Sequence, residues 1–81
     1  MNENIKIEIT SPVEFNDVLA EIYLDGRYLG RVSQELGESN RVIDFIDSAV
    51  KEITVSGLRD CIDLACSRLD KMGPRAPGKA D

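Results

Sequence analysis

The chain reads as an α+β domain of two layers: an antiparallel sheet of four strands, or five if residues 50–55 also pair, covered on one face by a single C-terminal helix. Three observations predict this. Residues 4–10, NIKIEIT, alternate apolar and polar without a break. Asp25-Gly26 separates two strand-like runs, LAEIYL and RYLGRV. The stretch from Leu58 to Met72 carries apolar side chains at helical spacing and is followed by Gly73-Pro74.

In the first strand Ile5, Ile7 and Ile9 share one face, and Ser11-Pro12 ends it because proline has no N–H to give to a ladder. A connection follows, in which Phe15 is expected to tuck under the sheet. The Asp25-Gly26 hairpin can close in two ways. A two-residue loop pairs Ile22 with Leu29 and sets Ala20, Ile22 and Leu24 against Arg27, Leu29 and Arg31, which mixes charge into a buried face. A three-residue loop, with Gly26 at positive φ as a G1 bulge, pairs Ile22 with Tyr28 and Ala20 with Gly30. Val18, Ala20 and Ile22 then meet Tyr28, Gly30 and Val32, and burial favours this register. Leu19, Glu21, Tyr23, Arg27, Leu29 and Arg31 are left on an open face.

Residues 36–40, LGESN, read as a turn. Residues 41–46 read as the fourth strand, with Ile43 and Phe45 inward and Asp44 outward. Residues 50–55 are either a short strand or an irregular crossing. Ser56 is the expected helix N-cap, with Leu58, Cys61, Ile62, Ala65, Leu69 and Met72 forming the buried stripe. The single domain spans 1–73, and PRAPGKAD, 74–81, reads as a flexible C-terminal tail.

Composition narrows the function classes. Eighty-one residues make one small domain that buries only about 60% of its unfolded surface. No apolar run approaches the roughly 20 residues of a membrane span, and the first ten residues lack a signal-peptide layout, so a cytoplasmic location is the expectation. The net charge of −5 is uneven: residues 1–70 carry −7 and residues 71–81 carry +2. Such an acidic body repels phosphate backbones and suits a basic protein partner, which argues against direct nucleic-acid binding.

No catalytic constellation stands out. The chain has no histidine, and Glu21, Glu35 and Asp44 have no spacing that marks a working carboxylate pair. Cys61 and Cys66 lie about 140° apart around a helix, too poorly aimed for a disulfide and too few for zinc. The glycines of LDGRYLGR flank a strand rather than open a helix, and the helix aspartates lack calcium-loop spacing. The expectation is a non-enzymatic protein with no metal and no cofactor. On the open face Tyr23 would neighbour Arg27, a pairing of residue types enriched at interface hot spots. The candidate partner-binding residues are Glu21, Tyr23, Arg27, Glu35, Glu38 and Asp44.

Taken together, IKIEITSP, VLAEIYLDGRYLGRVSQELG, RVIDF and the helix LRDCIDLACSRL resemble small immunity-type proteins of bacterial polymorphic toxin and contact-dependent inhibition systems. The likeness covers roughly residues 5–70 and rests on strand order, not on a catalytic signature. It implies a cytoplasmic inhibitor that covers the active site of one cognate toxin, for which an acidic surface suits a cationic nuclease. Two other readings fit the same sequence: a phage anti-defence inhibitor of the anti-CRISPR kind, and a structural module that forms a homodimer through its open sheet face.

Overall fold

A computed structural model describes residues 4–72. It contains four strands, β1 (Ile5–Thr10), β2 (Leu19–Leu24), β3 (Arg27–Ser33) and β4 (Val42–Asp44), a short 3-10 turn (Glu38–Asn40), and one helix, α1 (Val55–Met72). The strands form an antiparallel meander in the order β1-β2-β3-β4. The helix packs chiefly on β2, less on β1 and least on β3. The α+β architecture is therefore as the periodicities predict. No described helix is long and apolar enough to cross a membrane. The tail expected at 74–81, and the Gly73-Pro74 helix stop, lie outside the described residues.

The β1–β2 register sets Ile7 against Ile22, Ile5 against Leu24 and Ile9 against Ala20. All six face the helix. Ile7, Ala20, Ile22, Leu24, Leu29 and Val32 join Cys61, Ala65 and Leu69 of α1 in one core, with Ile43, Val50, Ile53 and Leu58 packed at its margin. Each large aliphatic side chain buried there contributes about 1.5–3 kcal/mol. Neither cysteine is in a disulfide, with Cys61 in the core and Cys66 half-buried.

The hairpin departs from the three-residue expectation. Leu24 pairs with Arg27 and Tyr23 with Tyr28, so the loop is only Asp25 and Gly26, at φ 52° and 80°. Two consecutive left-handed residues make the primed turn whose twist matches that of paired strands. Asp25 tolerates its place because it is tied to β1: its N–H donates to the Asn4 carbonyl at 2.8 Å, and its Oδ1 accepts from the Asn4 N–H at 3.1 Å.

The bulge exists, but it lies inside β3. Ile22 faces Gly30 while Tyr23 faces Tyr28, which leaves Leu29 as the additional residue. That single insertion resolves the conflict between charge and burial. Leu29 and Val32, three apart, both enter the core at 2% exposure, while Arg31 stays on the other face. Tyr28, expected inside, lies outside, and Leu29, expected outside, lies inside. The Tyr28 carbonyl, on the side where β4 has already ended, accepts from the Ala49 N–H at 3.2 Å and the Ser48 hydroxyl at 3.3 Å. The returning chain thus supplies the partners that a longer β4 would have given.

Beyond β3 two further expectations are corrected. Strand β4 ends at Asp44, because Phe45–Ser48 turns back with a Ser48 N–H to Phe45 carbonyl bond of 3.3 Å and Asp47 at φ 53°. Phe45 is consequently 47% exposed rather than inward. Residues 51–54 are an irregular crossing, not a fifth strand. The helix begins two residues earlier than Ser56 suggests: the Thr54 hydroxyl accepts from the Gly57 N–H at 2.9 Å and the Thr54 carbonyl from the Leu58 N–H. Thr54 is the N-cap, leaving Ser56 within the first turn.

Gly30 and Gly26 are required for different reasons. A Cβ at Gly30 would collide with the Asp44 carbonyl oxygen, whereas a Cβ at Gly26 would meet nothing but sit at an unfavourable φ. Gly30→Ala is expected to cost about 2–3 kcal/mol of unfolding free energy by overpacking against backbone, and Gly26→Ala about 1 kcal/mol. Urea titration of both variants checks the order. Equal losses would contradict the close β3–β4 approach.

Candidate sheet-face interface

The face turned away from α1 is built from rows that cross the strands. One row runs Glu8–Glu21–Arg31–Asp44, because Glu8 pairs with Glu21, Glu21 with Arg31 and Arg31 with Asp44. Beside it Lys6 pairs with Tyr23 and Tyr23 with Tyr28. Thr10 pairs with Leu19 on the other flank, and Ser33 with Val42. Three carboxylates and one guanidinium thus lie in a line spanning the whole sheet.

Charges in this line are incompletely matched. Glu8 bonds along its own strand to Lys6 at 3.1 Å. Arg31 turns its Nε towards Asp44, at 3.9 Å, and sets its guanidinium carbon 5.0 Å from the centre of the Phe15 ring. Arg31 Nε is buried without a hydrogen-bond partner, so the guanidinium is held by charge and ring contact at that atom. Glu21 stands directly opposite Glu8, a like-charged cross-strand pair that works against folding.

Phe15 shows what covers part of this face. Its ring lies against Arg31, on the side away from the helix, rather than under the sheet as expected from sequence. Leu19, expected on the open face, is on that side but has 0% exposure. The β1–β2 connection is pinned by Glu35, whose two carboxylate oxygens accept from the N–H groups of Asn16 at 3.0 Å and Asp17 at 2.9 Å. One end of the face is therefore roofed, and the other is open around Tyr23. There a shallow depression of about 500 Å³ is lined by Asn4, Ile5, Lys6, Tyr23 and Gly26.

Tyr23 and Tyr28 form an edge-to-face pair, ring centres 5.5 Å apart and planes at 66°. Burial, and next the Glu21 carboxylate, push the Tyr28 phenol above its ordinary 10.0, with Arg31 pulling the other way. Both rings are half-buried. They give the open end of the row a rigid, amphipathic surface.

Of the six residues singled out in the sequence, the structure brings Glu21, Tyr23 and Asp44 onto this face. Arg27 pairs with Leu24 at the hairpin tip and lines a separate depression of about 310 Å³ with Asp25, Glu52, Ile53 and Thr54. Glu35 is committed to the loop it pins. Glu38 is exposed in the 3-10 turn. Sequence reasoning missed Glu8, whose place in the row follows only from the β1–β2 register. It also missed Arg41, which donates from Nε to Gln34 Oε1 at 3.0 Å and from Nη2 to Asp70 Oδ1 at 2.8 Å. Burial pushes the Arg41 guanidinium down, but bonds to Asp70 and Cys66 outweigh it, and the charge is held more firmly than usual. Arg41 ties the β4 side of the sheet to the helix. Among the described residues no three His, Cys, Asp or Glu side chains gather into a metal site.

Two measurements check this geometry. A double-mutant cycle on Glu8→Gln and Glu21→Gln is expected to return a repulsive coupling of about 0.5 kcal/mol that shrinks as salt is added. An attractive or zero coupling would contradict the row. The second concerns pH. The folded state holds the Tyr28 proton more tightly than the unfolded chain does, so this group's contribution is constant below pH 10 and is lost as pH rises from there through the folded pKa. Tyr28→Phe should remove that part of the alkaline decline in stability, read as the difference between wild-type and variant melting profiles.

Comparison with known proteins finds no matching family model, no similar curated protein and no similar solved structure.

Proposed function

We propose that the chain is a non-enzymatic protein-binding inhibitor of the immunity type, acting in the cytoplasm by laying the Glu8–Glu21–Arg31–Asp44 row over a basic surface of a cognate toxin, a nuclease being the best-suited class. The observation that supports this reading is the incompletely matched charge of the row. Placing Glu8 opposite Glu21 costs the isolated fold stability, and a cationic partner would relieve it. Sites whose local choices oppose folding are where function is expected to be the compensating gain.

The chemistry of such an inhibitor is simple. A groove that attracts phosphates attracts carboxylates for the same reason, and oppositely charged surfaces speed encounter before any close packing forms. Tyr23, at the open end of the row, then supplies the apolar contact with a polar tip that anchors an interface. Lys6 and Arg31 keep the face from being uniformly negative and favour one orientation of the partner.

The test is to sequence the neighbouring reading frame and, where it encodes a secreted protein with a variable C-terminal domain, to co-express that domain with this chain. Wild-type protein should protect the host from that domain and bind it with a salt-sensitive association rate. The paired reversal Glu21→Lys with Asp44→Lys should weaken binding at least about 100-fold and abolish protection, with circular dichroism confirming an intact fold. Protection by the double variant at the wild-type level would sink the proposal.

A further inference from the structure

We propose that β1 is the dimerisation edge of this protein: two copies join β1 to β1 about a two-fold axis through Ile7, making one continuous eight-stranded sheet. This uses the sheet's edge, where Lys6 and Glu8 also belong to the face assigned above to a toxin, and neither reading depends on the other.

Among the described residues β1 has a paired neighbour on one side only. It is six residues long, unbulged in its pairing with β2, and contains no proline. Edge strands of this kind are normally blunted. The other edge, β4, is three residues long and runs into a turn. The free groups of β1 can be assigned. Asp25 N–H bonds to the Asn4 carbonyl, so the alternation of an antiparallel ladder turns the N–H and C=O of Ile5, Ile7 and Ile9 outwards.

The charges choose the occupant. A lone lysine would guard the edge, but here Lys6 is followed two residues on by Glu8, both exposed on the same face. Antiparallel pairing about Ile7 puts Lys6 opposite Glu8 of the second copy and Glu8 opposite its Lys6. Ile5 then meets Ile9 of the second copy, and both are only half-buried in the single chain. The segment IKIEI is self-complementary in this one register, which an unrelated strand would have no reason to match.

The helix carries a second palindrome of charge. Asp60, Leu64 and Arg68 lie four apart on one exposed flank of α1, with Leu64 38% exposed. Asp70 and Cys66, which meet Arg41 on the β4 side, occupy the opposite flank, so this one overhangs β1. A two-fold axis normal to the sheet reverses every direction in its plane, so the two helices run antiparallel. With paired strands about 4.8 Å apart and α1 packed chiefly on β2, the helix axes stand roughly 12–14 Å apart. The two Leu64-bearing flanks then face each other across the seam, running in opposite directions.

The experiment is light scattering coupled to size exclusion over a dilution series of the full chain. Wild type is expected at twice the chain mass when concentrated and to dissociate on dilution. Lys6→Glu and Glu8→Lys, each entering the two-fold twice and turning attraction into repulsion, should each raise the dissociation constant by about thirtyfold. The double exchange K6E/E8K should restore the dimer, and so should mixing the two single variants, whose strands carry opposite charge excess. Circular dichroism of each single variant confirms that it folds. A wild type that stays at the single-chain mass throughout, or single variants that dimerise like wild type, would overturn the assignment. Ile5→Pro removes an outward N–H at the start of β1 and leaves the toxin face unaltered, so loss of the dimer with toxin protection intact in that variant separates this result from that of the sheet face.

Discussion

The extra residue that Leu29 adds to β3 is the constraint on which the remaining structure depends. Without it, the two-residue Asp25-Gly26 turn would carry Arg31 into the core and Val32 out of it. With it, the tight turn and the apolar core coexist, because the one-residue slip is absorbed inside the strand rather than at the loop. Its effects reach beyond the hairpin. On the β4 side the Tyr28 carbonyl holds Ser48 and Ala49 against the sheet, and this fixes the path from β4 towards the helix. The close passage of Gly30 under Asp44 belongs to the same adjustment.

The bulge also composes the face away from the helix. It brings Tyr28 beside Tyr23 and Arg31 into line between Glu21 and Asp44. A sheet face in a domain this small could have been made stable with alternating charges. Instead two carboxylates oppose each other at Glu8 and Glu21, and the nearest arginine is engaged elsewhere, by Asp44 and Phe15. This local electrostatic cost beside an aromatic pair is the feature on which the proposed association rests.

The two ends of the molecule are secured differently. On the β4 side Arg41 joins Gln34 to Asp70 and so fastens strand, connection and helix together. On the β1 side, among the described residues, no strand pairs the outer edge, which lies under a helix flank bearing Leu64. One side of the domain is closed by its own side chains, and the other is left able to accept a strand. A continuous sheet across β1 would set two acidic rows side by side and double the surface available to a basic partner.

The sequence by itself determined the elements with strong local periodicity. The alternation of IKIEIT, the Asp25-Gly26 reversal and the apolar stripe of Cys61, Ala65 and Leu69 all reappear, as does the two-layer arrangement they imply. It also placed Glu21, Tyr23 and Asp44 on one face, since alternation along a strand survives whatever the register. Only the tertiary structure decided which side of β3 is buried, because a bulge exchanges the faces and has no local spelling. It likewise decided that Leu19 is covered, that Phe45 is exposed, that Thr54 caps the helix and that Glu8 stands against Glu21. Each of these depends on a contact between residues distant in the chain or on the relative offset of two strands. The sum of many burials sets such offsets, and no short run of residues encodes them.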